Sequence, residues 1–351
     1  MLNASGIGTV IKNLLPYLAK DPNLRLSLLY LKKDEETLLQ FPGCNLILMK
    51  HPIYTMGEQF EFFWKIPRCD LFWSPHYNIP LFPIRAKKRL VQIHDVIPLA
   101  YFSSLSLMQK IYAKIFFNAA VWISDIVTTV SQFSSTEIQK YCYSTKPITW
   151  IANSLGTQFL QKVENKEWVR KKHRLPYRFL LYVGNLKPHK NIHRLLQAYR
   201  QLKPSIDLVI LGEGKSDFAL SVQKDSFLRQ HVHFTGYVED REIPAIYGMA
   251  TLCLFPSLYE GFGYPPLEAM AVGCPVIASN VASIPEVCQD AVEYVDPTST
   301  DSIAQAIALL LNDSQRREEL IEKGKERVRH FMPEKSAKQY IQLIHENCSC
   351  S

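Results

Sequence analysis

The chain has 351 residues, of which 47% are hydrophobic and 21% charged, with a formal net charge of +7. This length exceeds one typical domain and favours two domains of about 150 residues each. Residues 1–155 carry 16 Lys and Arg against 10 Asp and Glu, an excess that suits an anionic partner such as a phosphate ester, an acidic glycan or a membrane surface but is too mild to indicate nucleic acid.

The chain opens with a glycine turn that leads into a helix, and no strand pattern precedes it. Gly6 and Gly8 would let the backbone of this turn approach a ligand closely, or would simply form a tight turn. A βα unit normally has its glycine turn after a strand. We therefore predict that a first strand is absent from this chain.

Short apolar runs alternate with helical patterns along the chain, which is typical of repeated βα units and parallel sheets. The predicted strands of the first half are 24–31, 45–49, 70–74, 89–94, 125–130 and 148–152. Those of the second half are 179–184, 207–212, 231–236, 251–257, 275–279 and 292–295. Long polar-faced helices are predicted near 301–330 and 334–347.

The alternation lapses between 154 and 177, where charged residues cluster. This pattern predicts an N-terminal domain over 1–155, a linker over 156–177, a second domain over 178–333 and a final helical segment over 334–351. Both domains are predicted to be doubly wound α/β units. In such sheets ligands bind beyond the carboxyl ends of strands, and the conspicuous turns of this sequence lie at those ends.

One such turn is YEGFGYPPLEAMA, residues 259–271, which places Glu260 and Glu268 on either side of a glycine-rich stretch. The Pro-Pro pair suits the first turn of a helix, so we predict a helix from 265 or 266 to near Gly273. Glu268 would then lie in its first turn. Either glutamate alone could be ordinary, Glu268 by complementing the helix dipole and Glu260 as a solvated loop residue.

Gly261 and Gly263 would free the backbone N–H groups of this turn to approach an anion at the helix N-terminus, which predicts a cradle for a diphosphate. Carboxylates beside a diphosphate repel it unless each binds neutral hydroxyl groups on either side. A nucleotide sugar has that layout, with sugar hydroxyls, a diphosphate and then ribose hydroxyls. Carboxylates accept strong hydrogen bonds from such groups.

The segment SLYEGFGYPPLEAMAVGCPVIAS, residues 257–279, resembles the E-x7-E segment of retaining glycosyltransferases of family 4 (glycosyl transferases group 1). The resemblance extends over nearly all of the chain. It implies the GT-B fold, an α/β architecture of two Rossmann-like, doubly wound parallel-sheet domains facing across a cleft. It also implies that the final helix crosses back to the N-terminal domain.

The same resemblance assigns roles to the residues of this segment. It implies that Glu260 holds hydroxyl groups of the donor sugar and that Glu268 binds the ribose of the nucleotide. The turn between them, with Gly261, Phe262 and Gly263, would give backbone contacts to the phosphates.

The stretch YVGNLKPHKNIHRLL, residues 182–196, leaves a strand through Gly184 and reaches Lys190 before a helix. A lysine there could neutralise a diphosphate leaving group, or it could be a solvated lysine at a helix start. The stretch resembles the family's second phosphate-binding element, in which an arginine accompanies the lysine. Asn185 and His189 occupy the two arginine positions, so we expect one full charge plus a histidine at the leaving group.

In the N-terminal domain, His94 and Asp95 follow the strand 89–94. Asp95 could orient the histidine ring or cap the turn, and a lone histidine is often a structural polar residue. The resemblance implies that His94 faces the donor sugar and positions it, without acting as a nucleophile. It also implies that the loop with Gly6 and Gly8 approaches the donor phosphates, although Thr9 stands where the family commonly has a basic residue.

Two loops, 211–217 and 235–240, resemble loops that meet the nucleobase and ribose in the family. Of these we select only the backbone of Gly236, Tyr237 and Val238 as near the base. The chain has no D-x-D triad, so we expect no metal and no cofactor. Lysine and helix dipoles could carry the charge of the leaving group instead.

Cysteine usage and hydropathy bear on the compartment. The eight cysteines lack zinc-ligand spacing and form no Cys-x-x-Cys pair, which predicts reduced thiols in a cytoplasmic protein. The longest apolar run, 111–123, is too short to span a bilayer. It belongs to a predicted helix, 104–125, that is either a core helix whose solvated edge carries Lys110 and Lys114, or a helix lying on a membrane surface that serves a lipid-linked acceptor.

Together these expectations describe a retaining, metal-independent hexosyltransferase. Its donor would be a nucleoside-diphosphate sugar, with GDP-mannose as the first choice because the chain resembles mannosyltransferase-like members of polysaccharide clusters. Its acceptor would be a growing glycan or a lipid-linked saccharide, reached in the cytoplasm or at the inner face of the membrane, with no nucleic acid involved. The alternatives are a non-catalytic or truncated sugar-nucleotide-binding homologue, and an epimerase or phosphorylase of the same architecture.

Overall fold

The computed structural model describes residues 6–41, 43–212 and 217–348. Its strands are β1 (Ser27–Leu31), β2 (Asn45–Met49), β3 (Cys69–Ser74), β4 (Ala86–Ile93), β5 (Ile126–Thr129), β6 (Ile148–Trp150), β7 (Phe179–Val183), β8 (Asp207–Leu211), β9 (Val232–Phe234), β10 (Leu252–Phe255), β11 (Val276–Ser279) and β12 (Glu293–Val295). Each lies within or overlaps a predicted strand, and every pairing between them is parallel.

The α-helices connect these strands and follow them. They are α1 (Gly6–Leu18), α2 (Glu35–Leu38), α3 (Met56–Lys65), α4 (Ile97–Ala100), α5 (Leu107–Ile123), α6 (Gln132–Tyr141), α7 (Lys166–Lys172), α8 (Ile192–Leu202), α9 (Asp217–Lys224), α10 (Ser226–His231), α11 (Ile243–Tyr247), α12 (Tyr264–Ala271), α13 (Ile284–Cys288), α14 (Thr300–Asn312), α15 (Ser314–Val328) and α16 (Pro333–Cys348). Short 3₁₀ helices lie at Lys32–Asp34, Phe102–Ser104, Thr157–Phe159, Pro188–Lys190 and Arg329–Phe331.

The chain divides into two compact units. The first comprises residues 1–154 with 332–351, and the second comprises residues 155–331. In the first unit the described strands form a two-stranded sheet, β1-β2, and a four-stranded sheet, β3-β4-β5-β6. The second unit has one six-stranded sheet in the order β12-β11-β10-β7-β8-β9. That order reverses between β7 and β10, as in a doubly wound fold.

The second unit folds around central strands, β7, β10 and β11, that are buried on both faces, which explains why they are short, continuous apolar runs. Helix α8 covers them with Ile192, Leu195, Leu196 and Tyr199, spaced so that they share one helix face. Helix α14 adds a similar buried stripe to the same core. The apolar pattern that predicted the strands is therefore the pattern of a sheet covered by helices.

Two predicted boundaries in this unit are wrong. The segment predicted as a linker folds within the second unit, where it forms α7, and the buried Glu242 pairs with Lys172 at 2.5 Å and with His173 at 2.8 Å. The helix predicted over 301–330 is two helices, α14 and α15. It breaks at Asp313, whose carboxylate caps α15 by accepting from the N–H of Arg316 at 2.8 Å.

In the first unit, α16 packs beside the sheet. The Ser336 hydroxyl donates to the Ala152 carbonyl at 2.7 Å, and the Tyr340 ring stacks on Trp73 with ring centroids 4.8 Å apart. Helix α1 begins at Gly6, so both glycines of the predicted turn lie in its first turn rather than ahead of it. Residues 1–5 lie outside the described part, and the absence of a first strand stays a prediction.

No helix in the described ranges combines the length and the apolar character that crossing a bilayer requires. Helix α5 buries Ala113, Phe116 and Phe117 but leaves Ile111 and Ile115 exposed. A capping box between Ser106 and Gln109 fixes its start. The helix is thus a core helix on one side and an apolar surface on the other.

Tyr340→Ala should destabilise the first unit by about 3–5 kcal/mol, because it removes a ring that is 1% exposed and stacked on Trp73. The matched control Tyr143→Ala removes a ring that is 84% exposed, so its effect should stay within about 0.5 kcal/mol. Urea unfolding monitored by circular dichroism measures both. Equal effects would contradict the packing of α16.

Candidate functional site

The site lies at the point where the strand order of the second unit reverses. Strands β7 and β10 are parallel neighbours there, with Leu180 opposite Leu252. The turns that follow them therefore leave the same edge of the sheet. In doubly wound sheets this edge, at the reversal, is where ligands bind.

The turn after β7 is fixed by Asn191. Its backbone is left-handed, with φ 60° and ψ 26°, which asparagine tolerates better than most residues. Its buried amide donates to the Pro256 carbonyl at 2.9 Å and to the Pro297 carbonyl at 2.7 Å. The Tyr182 hydroxyl donates to the Asn185 carbonyl at 3.2 Å in the same turn. These bonds hold the turn against the segments that follow β10 and β12.

The turn after β10 is held from two sides. The N–H of Leu258 donates to the His189 carbonyl at 2.7 Å. The buried Ser283 hydroxyl lies 2.9 Å from the carbonyl oxygens of both Glu260 and Phe262. Gly263 has φ 112° and ψ 66°, a conformation that favours glycine, and α12 begins at the next residue. The turn is therefore shaped by residues far apart in sequence.

Lys190 and Glu260 meet between these two turns. The Lys190 Nζ lies 2.6 Å from the Glu260 Oε1, and their side chains are only 14% and 10% exposed. The same Nζ lies 5.7 Å from the centroid of the Phe255 ring. Local sequence alone would also allow both side chains to be solvated, but neither is. The pair is charged, largely buried and placed at the edge where a ligand would bind.

Glu268 lies one or two residues further into α12 than predicted. The helix begins at Tyr264, ahead of the prolines, so Glu268 is its fifth residue and its first turn has no acidic residue. The buried Tyr247 hydroxyl donates to the Glu268 Oε2 at 2.8 Å. Burial raises the pKa of Glu268 to about 7, with a further increase from Asp240 and an opposing decrease from Tyr247. This carboxyl is thus poised to change its charge near neutral pH.

His189 does not supply the second positive charge that an arginine would. Its side chain is buried, and burial lowers its pKa, as does the neighbouring Lys190. The ring is therefore mostly neutral at pH 7. Gly184 and Asn185 complete the turn, and the Asn185 side chain accepts from the N–H of Lys187 at 3.2 Å.

The Phe262 side chain is buried against Phe331, with ring centroids 5.6 Å apart, so only its backbone faces the turn. The loops after β8 and β9 meet through a bond from the N–H of Gly236 to the Gly212 carbonyl at 3.0 Å. Tyr237 is exposed and Val238 is buried. Residues 213–216 of the first loop lie outside the described residues.

His94 has its own environment in the first unit. Its Nε2 donates to the Pro75 carbonyl at 3.1 Å, and burial lowers its pKa to about 4. Asp95 accepts from the N–H of Ile97 at 3.0 Å and so caps the turn, one of the two roles considered for it. His94 is therefore a neutral, oriented ring.

Sequence reasoning missed Asn191, Ser283 and Tyr247, which hold the two turns and Glu268 in place. Only Asn191 carries a sequence signal, because an asparagine directly before a helical pattern is typical of a helix boundary. In the described parts of the chain, no three His, Cys, Asp or Glu side chains are grouped so that they could hold a metal ion.

A comparison with known protein families finds a match over the part of the chain that contains this site. The family model described as "Glycosyl transferases group 1" matches residues 165–327, which lie within the second unit and contain Lys190, Glu260 and Glu268. The second unit is therefore similar to members of this family over most of its length. His94, Gly6 and Gly8 lie outside the matched residues.

Among its relatives, O-antigen chain mannosyltransferase B of Escherichia coli is 34% identical over 225 residues, which are 62% of this chain and 59% of that protein. O-antigen chain mannosyltransferase RfbU of Salmonella typhimurium is 32% identical over 248 residues, which are 69% of this chain and 65% of that protein. The chain thus spans less than two thirds of the length of each of these two relatives.

Solved structures confirm the predicted GT-B fold of two Rossmann-like domains. HepE from Anabaena in complex with UDP-glucose aligns with a TM-score of 0.77 at 17% identity, covering 99% of this chain and 97% of that one. Sucrose-phosphate synthase from Thermosynechococcus elongatus aligns with a TM-score of 0.67 at 24% identity, covering 77% of this chain and 69% of that one.

Lys190→Met should destabilise the second unit by about 3 kcal/mol, because it leaves the Glu260 carboxylate buried without its cation. The double variant Lys190→Met/Glu260→Gln should recover most of that loss. Denaturant unfolding measures the cycle, with Lys187→Met, a charge removal at an exposed residue of the same turn, as control. Additive effects in the double variant would show that the pair does not interact.

Glu268→Gln should raise the melting temperature of the second unit by about 3 °C or more at pH 8 and change it little at pH 5. The folded-state pKa of about 7 lies above the unfolded value, so the wild type loses stability as the pH rises from about 4.5 to 7, and glutamine does not. Calorimetry across this pH range measures the difference. The exposed Glu318→Gln serves as control, and an equal pH dependence in both variants would contradict the shifted pKa.

Proposed function

We propose that this chain is a retaining, metal-independent mannosyltransferase that uses GDP-mannose. The observation that carries the proposal is the buried Lys190–Glu260 pair at the strand reversal, directly beside the glycine turn that starts α12. A cation and a carboxylate at this edge match the two charge requirements of a nucleotide sugar. The cation suits the diphosphate, and the carboxylate suits the sugar hydroxyls.

Donor binding would exchange the partners of this pair. The diphosphate would take the place of Glu260 at the Lys190 ammonium group, and the growing charge of the leaving group would be neutralised there. Glu260 would then accept hydrogen bonds from hydroxyls of the sugar. The backbone N–H groups around Gly261 and Gly263, at the positive end of α12, would face the phosphates.

Glu268 would bind the ribose. Hydroxyl groups that donate to a carboxylate favour its ionised form, so ribose binding would lower the raised pKa of this group. The backbone of Gly236, Tyr237 and Val238 would lie near the base. The roles of Gly184, Asn185 and His189 at the phosphates, and of His94, Gly6 and Gly8 in the first unit, are assigned by family resemblance.

The choice of mannose follows from the O-antigen mannosyltransferases among the relatives. HepE, whose structure contains UDP-glucose, makes that donor the main competitor. The acceptor would be a hydroxyl group of a growing glycan or a lipid-linked saccharide in the cytoplasm. A lipid-linked acceptor would suit peripheral contact of α5 with the inner face of the membrane, because the exposed Ile111 and Ile115 lie beside Lys110 and Lys114.

Titration calorimetry with GDP, UDP, GDP-mannose and UDP-glucose, followed by transfer assays, tests this function. GDP-mannose should bind most tightly, and Glu260→Gln should retain GDP binding but lose at least about 100-fold in transfer, because it loses a contact to the reacting sugar. Lys190→Met should weaken GDP binding at least about tenfold, whereas Lys187→Met should not.

The possible failures are distinguishable. Preferential binding of UDP-glucose would replace the proposed donor. Binding of a nucleotide sugar without transfer to any acceptor would favour the non-catalytic alternative, in which Asn185 and His189 in place of arginines have removed the activity. Absence of nucleotide binding would contradict the proposal as a whole.

A further inference from the structure

Helix α3 buries most of its polar residues and exposes most of its apolar ones. Its polar residues Glu58, Gln59 and Glu61 are buried together with Phe62, whereas its other apolar side chains are exposed to solvent. The exposed fractions are 62% for Met56, 56% for Phe60, 40% for Phe63 and 70% for Trp64. A surface helix of a soluble domain normally shows the opposite arrangement.

The buried polar side of α3 is fully engaged by neighbouring segments. Glu58 accepts from the N–H of Tyr54 at 2.9 Å and from the Asn78 amide at 2.8 Å. Gln59 donates to the Ile79 carbonyl at 3.2 Å and accepts from the N–H of Leu81 at 2.8 Å. The orientation of the helix is therefore set by specific bonds. Rotating the apolar face inward would break them.

Glu61 fixes the orientation of the helix in the same way, through a second set of bonds. It accepts from the N–H groups of Lys50 and His51, and the Lys65 Nζ lies 2.8 Å from its Oε1. Burial raises the pKa of Glu61, but these bonds outweigh it and lower the pKa to about 2. Both glutamates of α3 are thus turned away from solvent, which leaves its outer face without acidic groups.

Basic residues follow α3 in sequence and flank Phe82. Arg68 and Arg85 line one depression just after the end of α3, and both are exposed. Asp70, in the same depression, pairs with Lys87 at 2.8 Å. Residues 50–89 carry seven Lys and Arg against three Asp and Glu.

Further apolar groups extend the exposed face of α3. The Phe82 ring, itself exposed, stacks on Phe60 with centroids 5.5 Å apart. The Tyr54 ring, just ahead of α3, contacts Tyr112 of α5 edge-on at 6.1 Å. Helix α3 therefore lies near α5, which also exposes apolar side chains.

We propose that Met56, Phe60, Phe63, Trp64 and Phe82 form a membrane-contact surface that inserts into the interfacial region of an anionic bilayer. Aromatic side chains are favoured at that depth, and lysine and arginine beside them attract anionic headgroups. The positive charge near this surface favours an anionic membrane over a second copy of this chain as its partner. A second copy of this chain would bring its own Arg68 and Arg85 towards those of the first copy, whereas an anionic lipid surface complements their charge.

Flotation with vesicles of phosphatidylglycerol and phosphatidylcholine tests the surface. The wild type should bind these vesicles, more weakly as salt rises and little to phosphatidylcholine alone. Phe63→Ser/Trp64→Ser should lower the partition coefficient at least about tenfold. The control Trp150→Ser, an exposed tryptophan of β6 in the same unit, should leave it unchanged. Arg68→Glu/Arg85→Glu should weaken binding and flatten its salt dependence.

Quenching of tryptophan fluorescence by brominated lipids locates the contact. Trp64→Phe should remove a substantial part of the vesicle-dependent quenching, whereas Trp122→Phe reports α5 separately, because Trp122 is exposed on that helix. Quenching that falls only with Trp122→Phe would place the lipid on α5 alone and overturn the proposal.

Two further results would overturn it. One is absence of wild-type binding to anionic vesicles. The other is a dimer in sedimentation velocity that Phe63→Ser/Trp64→Ser converts to a monomer while vesicle binding persists, which would assign the face to self-association. Wild type and Phe63→Ser/Trp64→Ser should bind the nucleotide-sugar donor equally well when titrated without vesicles. The vesicle result therefore tests the membrane surface independently of the proposed mannosyl transfer.

Discussion

The second unit depends on the parallel pairing of β7 with β10 at the point where the strand order reverses. That pairing brings together two turns that are some 70 residues apart, and it is the reason that Lys190 and Glu260 can lie 2.6 Å apart. The Asn191 amide then ties the first turn to the segment after β10, and the Ser283 hydroxyl binds the backbone of the second turn at the Glu260 carbonyl. Removing the strand pairing would leave each turn without the partner that shapes it.

A buried ion pair is an uneconomical way to stabilise a fold, because desolvating both charges costs roughly what their attraction returns. Its position suggests another reason for its presence. A lysine that is held by a carboxylate and lies against Phe255 is oriented before a ligand arrives, and in the proposed function the second oxygen of the carboxylate would accept from hydroxyl groups. An anionic ligand can replace one charge–charge contact with another, so the site need not desolvate a free ammonium group when it binds.

Much of the fold follows from local sequence, and much of the site does not. Strands buried on both faces are continuous apolar runs, so their positions and their parallel direction were predictable. The placement of Lys190 and Glu260 in turns that follow two of these strands was predictable as well. The start of α12 was misplaced because Tyr264 joins the helix ahead of the prolines, which moves Glu268 into the second turn. The bonds from Tyr247 to Glu268 and from Ser283 to Glu260 join distant segments, and no local pattern reports such distances.

Helix α3 shows a limit of a different kind. Amphipathic spacing reveals that a helix has two faces, but the inward orientation of the apolar face is an assumption about what surrounds the helix. Here the backbone N–H groups of Tyr54 and His51 and the amide of Asn78 need acceptors, and Glu58 and Glu61 satisfy them from inside the unit. Each of those donors left buried without a partner would cost about 1–3 kcal/mol, and this cost opposes a rotation that would bury the apolar side chains. The outward apolar face is thus fixed by the polar bonds beneath it, and a lipid surface would offset the exposure that those bonds impose.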